Sequence, residues 1–297
     1  MSTNLNQKFP GYDIRENVQL SEYTNTQVGG PADWAFWPKS VENLKEVLEY
    51  AHEIEMPITV LGNASNLVVS DTGLRGLVIF LEHLNQIKVE GLRVTAEAGA
   101  TLIKTTQVAM KHSLSGIEWA AGIPGSVGGA VYMNAGAYGG HSAQWIESVT
   151  VLTSENEVKT RSNAEMNFGY RQSIVQENGD IILAATFQLE VGNPAEIAAM
   201  MEDFNVQRAS KQPLEYPSCG SVFKRPEGYF AGKLIMDAGL QGFTIGGAQV
   251  SKKHAGFIVN VNHATADEYI QVIRHVQAQV KAKFGVDLET EVKIFGD

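Results

Sequence analysis

The stretch AGIPGSVGGAVYMNAGAYGG, from Ala121 to Gly140, constrains the fold of this chain most strongly, because seven of its twenty residues are glycine. Glycine adopts positive φ and lets a ligand approach the main chain closely. Main-chain N–H groups exposed in this way form a concave nest that suits phosphate, and Ser126 adds a hydroxyl donor. The stretch contains neither GxGxxG nor GxxxxGK, so neither common nucleotide-binding loop explains it.

A second loop, LGNASNLVV, follows directly after an expected strand and offers Gly62, Asn63, Ser65 and Asn66. Either loop alone is more typical of an ordinary turn. Together they favour a ligand with two phosphates, such as a dinucleotide. Because the Rossmann fingerprint is absent, we expect such a ligand to be held on a different flavin or nucleotide scaffold.

Helix and strand signals alternate from early in the chain. Ser40 is a candidate N-cap for a helix over residues 41–55, and Thr265 with Glu268 forms a capping box for a helix that stops at Gly285. The spacing predicts a further helix that begins near residue 101 and is closed by Gly116. Residues 286–296, VDLETEVKIFG, predict one final strand with Glu289, Glu291 and Lys293 on one face.

Length and charge narrow the classes of protein. A chain of 297 residues suggests two or three small domains, and the polar, proline-bearing residues 210–221 are the candidate joint. The net charge of -10 argues against broad nucleic-acid binding. A single cysteine excludes an internal disulfide. The lack of a signal-like N-terminus or a long apolar run predicts a cytoplasmic protein, and no metal-ligand spacing is present, so no metal is expected.

Several polar residues have two interpretations. Arg171, in FGYRQS, suits a carboxylate clamp or a surface side chain packed on Tyr170. Ser221 suits a nucleophile, a proton donor or a turn residue, and Cys219 a reactive thiol or a buried apolar residue. Glu291 suits a solvated strand face. Charged and polar residues between expected strands suit either an anion site or a charged loop: Gln249, Lys252, Lys253, His254 and Asn260.

The ordered set of motifs resembles the UDP-N-acetylenolpyruvoylglucosamine reductases. The resemblance covers nearly the whole chain and is carried by NTQVGGPADWAFWP, LGNASNLVVSD, AGIPGSVGGAVYMNAGAYGG, FGYRQS, GSVFKRP, AGKLIMDAGLQGFTIGGAQVSKKHAGFIVN and LETEVKIFG. It implies an α+β, three-domain flavoprotein with a vanillyl-alcohol-oxidase-type FAD-binding region and a C-terminal α+β substrate-binding domain. The expected bounds are residues 1–80, 81–205 and 206–297, the last strand returning to the FAD site.

The resemblance also implies a reaction, with non-covalent FAD as cofactor and NADPH as co-substrate. NADPH reduces FAD, and flavin N5 passes hydride to the enol-ether carbon of UDP-N-acetylglucosamine enolpyruvate. A proton from Ser221 then completes UDP-N-acetylmuramate for peptidoglycan synthesis. The implied partners are small molecules, with no nucleic acid and no membrane, and a monomer is expected.

Roles follow from the same resemblance. Arg171 and Glu291 would polarise the substrate carboxylate while Ser221 donates the proton. The FAD contacts implied by the two loops are Gly62, Asn63, Ala64, Ser65, Asn66, Gly122, Ile123, Pro124, Gly125, Ser126, Gly128, Gly129, Ala130, Asn134 and Gly136. The substrate contacts implied are Tyr170, Arg208, Lys211, Lys224, Gln249, Lys252 and His254. Lys224 is expected as a basic neighbour of Ser221.

Two features depart from the family or define a subtype within it. Ala64 stands where the family's first flavin loop has glycine, and because its methyl group disfavours positive φ, a slightly rearranged loop is expected. The short spacer between Arg171 and Ser221 suggests the subtype that lacks an extra tyrosine-bearing loop. Two rival hypotheses stay open: a flavin oxidase of sugars or lactones, and a sugar-nucleotide-binding protein without redox activity.

Overall fold

The computed structural model describes residues 4–296. The helices are α1 Leu5–Lys8, α2 Val41–Glu53, α3 Leu102–Lys111, α4 Val127–Tyr132, α5 Val175–Asn178, α6 Pro194–Lys211, α7 Ala231–Asp237 and α8 Ala266–Phe284. The strands are β1 Ile14–Gln19, β2 Pro31–Phe36, β3 Ile58–Leu61, β4 Leu67–Val69, β5 Leu74–Phe80, β6 Ile87–Glu90, β7 Arg93–Glu97, β8 Leu114–Ser115, β9 Gly136–Ala137, β10 Gly140–His141, β11 Ile146–Leu152, β12 Val158–Ser162, β13 Ile181–Gln188, β14 Glu190–Val191, β15 Ser218–Ser221, β16 Thr244–Ile245, β17 Ala248–Val250, β18 Phe257–Asn260 and β19 Lys293–Phe295. This mixture confirms the α+β class.

These elements form two units, and neither is continuous in sequence. The first unit comprises the described residues up to Glu16 together with Trp34–Asn63 and Gly76–Gln207. The second unit comprises Asn17–Asp33, Ala64–Arg75 and the described residues from Arg208 onward. The three-segment division expected from the sequence stays a prediction.

An antiparallel sheet of five strands, in the order β12-β11-β13-β7-β6, is central to the first unit. Helix α4 packs against β13 and β7 of this sheet. A second sheet has the order β1-β2-β5-β3, with β3 and β5 parallel. The helix α2 lies between β2 and β3 in the chain and buries Leu44, Val47 and Leu48 in the same core.

The second unit has an antiparallel sheet in the order β15-β18-β17-β16, with α8 packed against three of its strands. Strand β19 pairs in parallel with β4, so that Lys293 lies opposite Leu67 and Phe295 opposite Val69. The last described strand of the chain therefore returns to the residues that follow the first glycine loop.

The helix caps predicted from the sequence are confirmed by the structure. The Ser40 side chain accepts the N–H of Asn43 at the start of α2. Both bonds of the Thr265–Glu268 capping box are present, and α8 ends at Gly285, whose φ is +71°. These signals act within one turn of a helix, so that no distant contact competes with them.

Two predicted elements are wrong in extent. Helix α3 ends at Lys111, well before Gly116, because Leu114 and Ser115 form a strand with Val191 and Glu190. The predicted final strand over residues 286–296 is divided between two partners. Its first part meets residues 222–224 in antiparallel fashion, and only Lys293–Phe295 form the parallel strand β19.

Candidate active site

The two glycine loops meet within the first unit. The side-chain Nδ2 of Asn63 donates to the carbonyl of Pro124 at 2.9 Å. A Cβ atom added to Gly62 would lie 2.4 Å from Ser126 Oγ, closer than real contacts allow. Glycine at position 62 therefore leaves room for the Ser126 hydroxyl group, and any larger residue would displace it.

The glycine-rich stretch itself begins a short helix, α4, where the sequence suggested a bare loop. Ser126 is its N-cap, since Ser126 Oγ accepts the N–H of Gly129 at 3.2 Å. The start of α4 is anchored by main-chain bonds from Val127 to Ala100 and from Gly128 to Ala98, each 2.8 Å. Ser126 therefore shapes the loop as a cap, besides any contact of its hydroxyl group with a ligand.

Neighbouring glycines in α4 have different surroundings. A Cβ atom on Gly128 would lie 3.0 Å from the Cβ of Ala98, which is buried. A Cβ atom on Gly129 would meet only Ser126 Oγ, at 3.5 Å. Gly128 is thus required for packing inside the unit, whereas Gly129 leaves space beside the main chain.

The two loops have the donor chemistry that a diphosphate requires. Residues 62–66 and 121–140 carry no charged side chain, so neither loop itself contributes a carboxylate that would repel an anion. Within the described part of the protein, the main-chain N–H groups of Gly62 and Asn63 donate to no acceptor. Free N–H groups beside glycine main chain are a recognised anion-binding arrangement. The residues present therefore fit the pyrophosphate of FAD.

The first glycine loop continues into the second unit with Ala64, which is buried and has a φ of +43°. The carbonyl of Ala64 accepts the N–H of Asn25 at 3.2 Å. The methyl group therefore does not prevent the left-handed conformation, and the expected rearrangement of the loop stays a prediction. The surrounding contacts impose a backbone conformation that residues with a Cβ atom rarely adopt.

Ser221 and Glu291 lie on adjacent segments of the second unit. The segment 222–224 runs antiparallel to 289–291, with a bridge between Phe223 and Thr290. The N–H of Glu291 donates to the carbonyl of Val222 at 2.8 Å, next to Ser221 at the end of β15. The structure thus brings together two of the three residues to which the sequence resemblance assigned catalysis.

The first loop reaches the same segments through Asn66. Its Nδ2 donates to the carbonyl of Glu291 at 3.3 Å, and its own carbonyl accepts the N–H of Lys293 at 3.1 Å. Asn66 is therefore bonded to the main chain that carries Glu291. A residue predicted as an FAD contact also supports the position of a residue predicted to be catalytic.

An imidazole lies close to Ser221. A Cβ atom on Gly256 would lie 3.4 Å from Ser221 Oγ and 3.2 Å from His254 Nδ1, so both side chains border the same glycine. His254 Nδ1 accepts the N–H of Gly256 at 3.2 Å, which puts the proton of the neutral ring on Nε2. Burial lowers the pKa of His254, because the imidazolium form loses solvent.

Lys224, expected as the basic neighbour of Ser221, has a carboxylate partner of its own. Its ammonium group pairs with Glu289 at 2.5 Å, and its main-chain N–H also bonds the Glu289 carbonyl. Because Glu289 lies next to Thr290 in the segment opposite, this pair fastens the same two segments that carry Ser221 and Glu291.

Cys219, two residues before Ser221, is fully buried against Tyr269, and burial raises the pKa of its thiol to about 11, as expected for a packing residue.

Arg171 lies in the first unit, on a tight loop after β12. Its φ is +58°, again in the left-handed region. Its Nη2 donates to the carbonyl of Gly136 at 3.1 Å and its Nη1 to that of Asn134 at 3.5 Å. The guanidinium carbon lies 5.2 Å from the ring centroid of Tyr170. The carbonyls of Asn134 and Gly136, both predicted as FAD contacts, thus orient the predicted carboxylate clamp.

The remaining predicted substrate contacts occupy separate elements. Gln249, on β17, donates to Thr244 Oγ1 at 2.9 Å. Lys252 is exposed in the turn after β17. Arg208 and Lys211 lie in the last turn of α6. Tyr170 is 58% exposed beside Arg171.

The sequence interpretation did not identify two contributors to these sites. Gly256 separates Ser221 from His254, and Gln176 donates to the carbonyls of Tyr132 and Arg171 at 2.6 and 3.1 Å. Neither residue type is unusual in its segment, so no compositional signal marks it. Among residues 4–296 no cluster of His, Cys, Asp and Glu could hold a metal ion. No helix in that range has both the length and the apolar character to cross a bilayer.

Comparison with known proteins places these features in one family. A model described as an FAD binding domain matches residues 32–162. A model described as the C-terminal domain of UDP-N-acetylenolpyruvoylglucosamine reductase matches residues 212–295. The reductase of that name from Limosilactobacillus fermentum is 58% identical over 99% of this chain and 98% of its own length. The reductase from Lactiplantibacillus plantarum is 57% identical over 97% and 96%.

A solved structure gives the same result. The crystal structure of UDP-N-acetylenolpyruvylglucosamine reductase from Thermus caldophilus matches with a TM-score of 0.84 and 34% sequence identity. The match covers 95% of this chain and 100% of that one. In sequence and in fold, this chain belongs to the UDP-N-acetylenolpyruvoylglucosamine reductase family.

Proposed function

We propose that this protein reduces UDP-N-acetylglucosamine enolpyruvate to UDP-N-acetylmuramate, with NADPH as co-substrate and FAD as cofactor, in the synthesis of peptidoglycan precursors. The observation that carries the proposal is the antiparallel pairing of segments 222–224 and 289–291, which bonds the main chain of Glu291 to Val222, the residue after Ser221. A hydroxyl group and a carboxylate carried on neighbouring segments suit a reaction that ends with protonation of a carbon atom.

The glycine loops would hold FAD. The residues proposed to do so are Gly62, Asn63, Ala64, Ser65 and Asn66 of the first loop and Gly122, Ile123, Pro124, Gly125, Ser126, Gly128, Gly129, Ala130 and Gly136 of the second. When bound, FAD supplies the redox chemistry, since it accepts hydride from NADPH and passes hydride to the enol-ether carbon. The chain contributes uncharged N–H donors for the pyrophosphate and a main chain that a ligand can approach closely.

Ser221 would deliver the proton to the carbon next to the substrate carboxylate. A serine hydroxyl is a weak acid, so its alkoxide must be stabilised or protonated again at once. The His254 ring borders the same glycine as Ser221 Oγ and carries its proton on Nε2. We assign to His254 and Lys224 the polar surroundings that Ser221 requires.

Arg171 and Glu291 would act on the substrate carboxylate, beside which negative charge develops. Arginine suits this role because its planar guanidinium binds a carboxylate in bidentate fashion and stays charged. The carbonyls that hold two of its nitrogens fix its orientation before substrate binds, which lowers the cost of reorganisation. Tyr170, Arg208, Lys211, Gln249 and Lys252 are proposed contacts for the sugar, diphosphate and uridine.

The experiment is a pair of half-reactions in the absence of oxygen. The purified protein should show flavin absorbance at about 450 nm, lose it with NADPH and regain it only with the enolpyruvyl sugar nucleotide. Sustained turnover of a sugar with oxygen would instead identify a flavin oxidase. A colourless protein that cannot be reconstituted with FAD would leave only a nucleotide-sugar-binding role.

The cellular location, oligomeric state and binding partners of the enzyme are also proposals. Its net charge of -10 and its small-molecule substrates are consistent with a cytoplasmic monomer that binds neither nucleic acid nor membrane. Size-exclusion chromatography with light scattering should give a mass near 32.3 kDa. A stable mass of twice that value would contradict the monomer.

A further inference from the structure

Asn134 connects the loop that carries Arg171 to the glycine-rich stretch. Its Nδ2 donates to the carbonyl of Gly169 at 2.8 Å, two residues before Arg171. Its Oδ1 accepts the N–H of Ala143 at 3.0 Å. Its main-chain carbonyl accepts Nη1 of Arg171 at 3.5 Å. One residue thus contacts the guanidinium and also the backbone that presents it.

The loop needs such support because its conformation is unfavourable. Arg171 has a φ of +58°, a region that side chains with a Cβ atom avoid. A residue stays in such a conformation only where surrounding contacts determine it. The carbonyl of Arg171 accepts Nε2 of Gln176 at 3.1 Å, and Gly169 and Gln172 bond each other across the turn. The bond from Asn134 to Gly169 fixes the other end of this turn.

The amide of Asn134 is buried and used at both ends. The residue is 7% exposed, and its Nδ2 and Oδ1 each have a main-chain partner. An amide that contacted FAD would be expected to turn one of these atoms towards the ligand. The contacts assign the amide to the protein scaffold, although the sequence resemblance implied that Asn134 contacts the cofactor.

We propose that Asn134 is a positioning residue, which sets the guanidinium of Arg171 for the substrate carboxylate. The inference rests on the proposed role of Arg171. Misplacement of a reacting group by about 1 Å can cost on the order of a hundredfold in rate. Asn134→Ala should therefore slow reoxidation of the reduced enzyme by substrate by about 10- to 100-fold, while leaving FAD content and reduction by NADPH near wild type.

Asn163 provides a matched control in the same unit. Its Nδ2 also joins main-chain groups, donating to the carbonyls of Ala143 and Ile146 at 2.9 and 2.7 Å. None of its bonds reaches residues 169–171. Asn163→Ala should lower the unfolding temperature and leave both half-reactions unchanged. If Asn134→Ala does not fold, Asn134→Asp replaces it in the test. This variant keeps the acceptor for Ala143 and loses the donor to Gly169. It should also slow reoxidation by substrate without slowing reduction by NADPH.

A double-mutant cycle with Arg171→Ala decides whether Asn134 acts through the arginine. In the Arg171→Ala background, Asn134→Ala should slow reoxidation no further. If Asn134→Ala slows reoxidation by the same factor in the Arg171→Ala background as in the wild type, the inference about Asn134 is wrong, while the proposed role of Arg171 is unaffected. Loss of FAD or slower NADPH reduction in Asn134→Ala would overturn it in favour of a cofactor contact. Reoxidation at the wild-type rate in Arg171→Ala would instead remove the proposed role of Arg171, and the inference with it.

Discussion

The glycine loops of the first unit and the Ser221–Glu291 region of the second unit are built on different principles. In the first, the proposed functional surface is the main chain itself, and glycine leaves space there, since a Cβ atom on Gly62 would lie 2.4 Å from Ser126 Oγ. In the second, ordinary side chains occupy two antiparallel segments whose pairing alone brings them together. A main-chain site leaves a compositional signal in the sequence, whereas a side-chain site on paired strands leaves almost none.

Ser221→Ala tests the side-chain region and should have the largest effect. Loss of a positioned proton donor typically costs about 10²- to 10⁴-fold in rate, and here the loss should fall on reoxidation by substrate. Reduction by NADPH should remain near wild type, because no proton is delivered to substrate in that step. Stopped-flow absorbance of each half-reaction gives the comparison, and equal slowing of both would count against the role.

Gly129→Ala tests the main-chain region. The added methyl group would meet only Ser126 Oγ, at 3.5 Å, and alanine favours a helix, so folding stability should be unchanged or higher. FAD affinity should fall by about tenfold, or about 1.4 kcal/mol, because the methyl group occupies space beside the cradle. Titration of the apoprotein with FAD measures this effect.

Gly128→Ala is the matched variant, since its methyl group would lie 3.0 Å from Ala98 Cβ. Overpacking of that kind costs about 1–3 kcal/mol, so thermal unfolding should shift downwards here and not in Gly129→Ala. Wild-type FAD affinity in Gly129→Ala would contradict the assignment of a main-chain cradle to this part of α4.

Ser126→Ala should have a smaller effect, on stability. Removing the N-cap bond to Gly129 should cost about 1 kcal/mol of unfolding free energy. Urea denaturation in the presence and absence of FAD would separate the two roles of this side chain. A loss confined to the FAD-bound protein would indicate that the hydroxyl contacts the cofactor more than it caps the helix.

The smallest expected effect is in the pH dependence of stability. Burial lowers the pKa of His254 from its ordinary value of 6.5, so the unfolded chain binds the proton more readily than the folded one. The stability that neutral His254 contributes to the folded protein is fully present above pH 6.5 and is lost as the pH falls through the pKa of His254 in the folded state. The unfolding free energy of wild type relative to His254→Gln should therefore decrease below pH 6.5. If the difference in unfolding free energy between the two proteins stayed constant between pH 5 and 8, this prediction would be wrong.

The parts of the fold that the sequence predicted depend on neighbours in the chain. Ser40, the Thr265–Glu268 box and Gly285 end their helices as expected, because each acts within one turn. The extent of α3 was predicted wrongly, since the strand at Leu114–Ser115 exists through its pairing with residues far along the chain. Long-range pairing of this kind carries no local signal.

The candidate site shows the same limit. Composition alone indicated a phosphate nest and no more, and the residues themselves favoured ordinary roles for Arg171, Ser221 and Glu291. Family resemblance supplied their proposed roles. The positive φ of Ala64 and of Arg171 could not be read from either residue type, because surrounding contacts impose it.

The parallel pairing of Lys293–Phe295 with Leu67–Val69 has a consequence for biosynthesis. All segments of the first unit have been translated once Gln207 is made, but the second unit still lacks everything from Arg208 onward, including β19. Residues 17–33 and 64–75, which leave the ribosome early, must wait for partners made last. Because Glu291, which is proposed to act on the substrate carboxylate, lies just before β19, a nascent chain should remain without reductase activity until Lys293–Phe295 have left the ribosome.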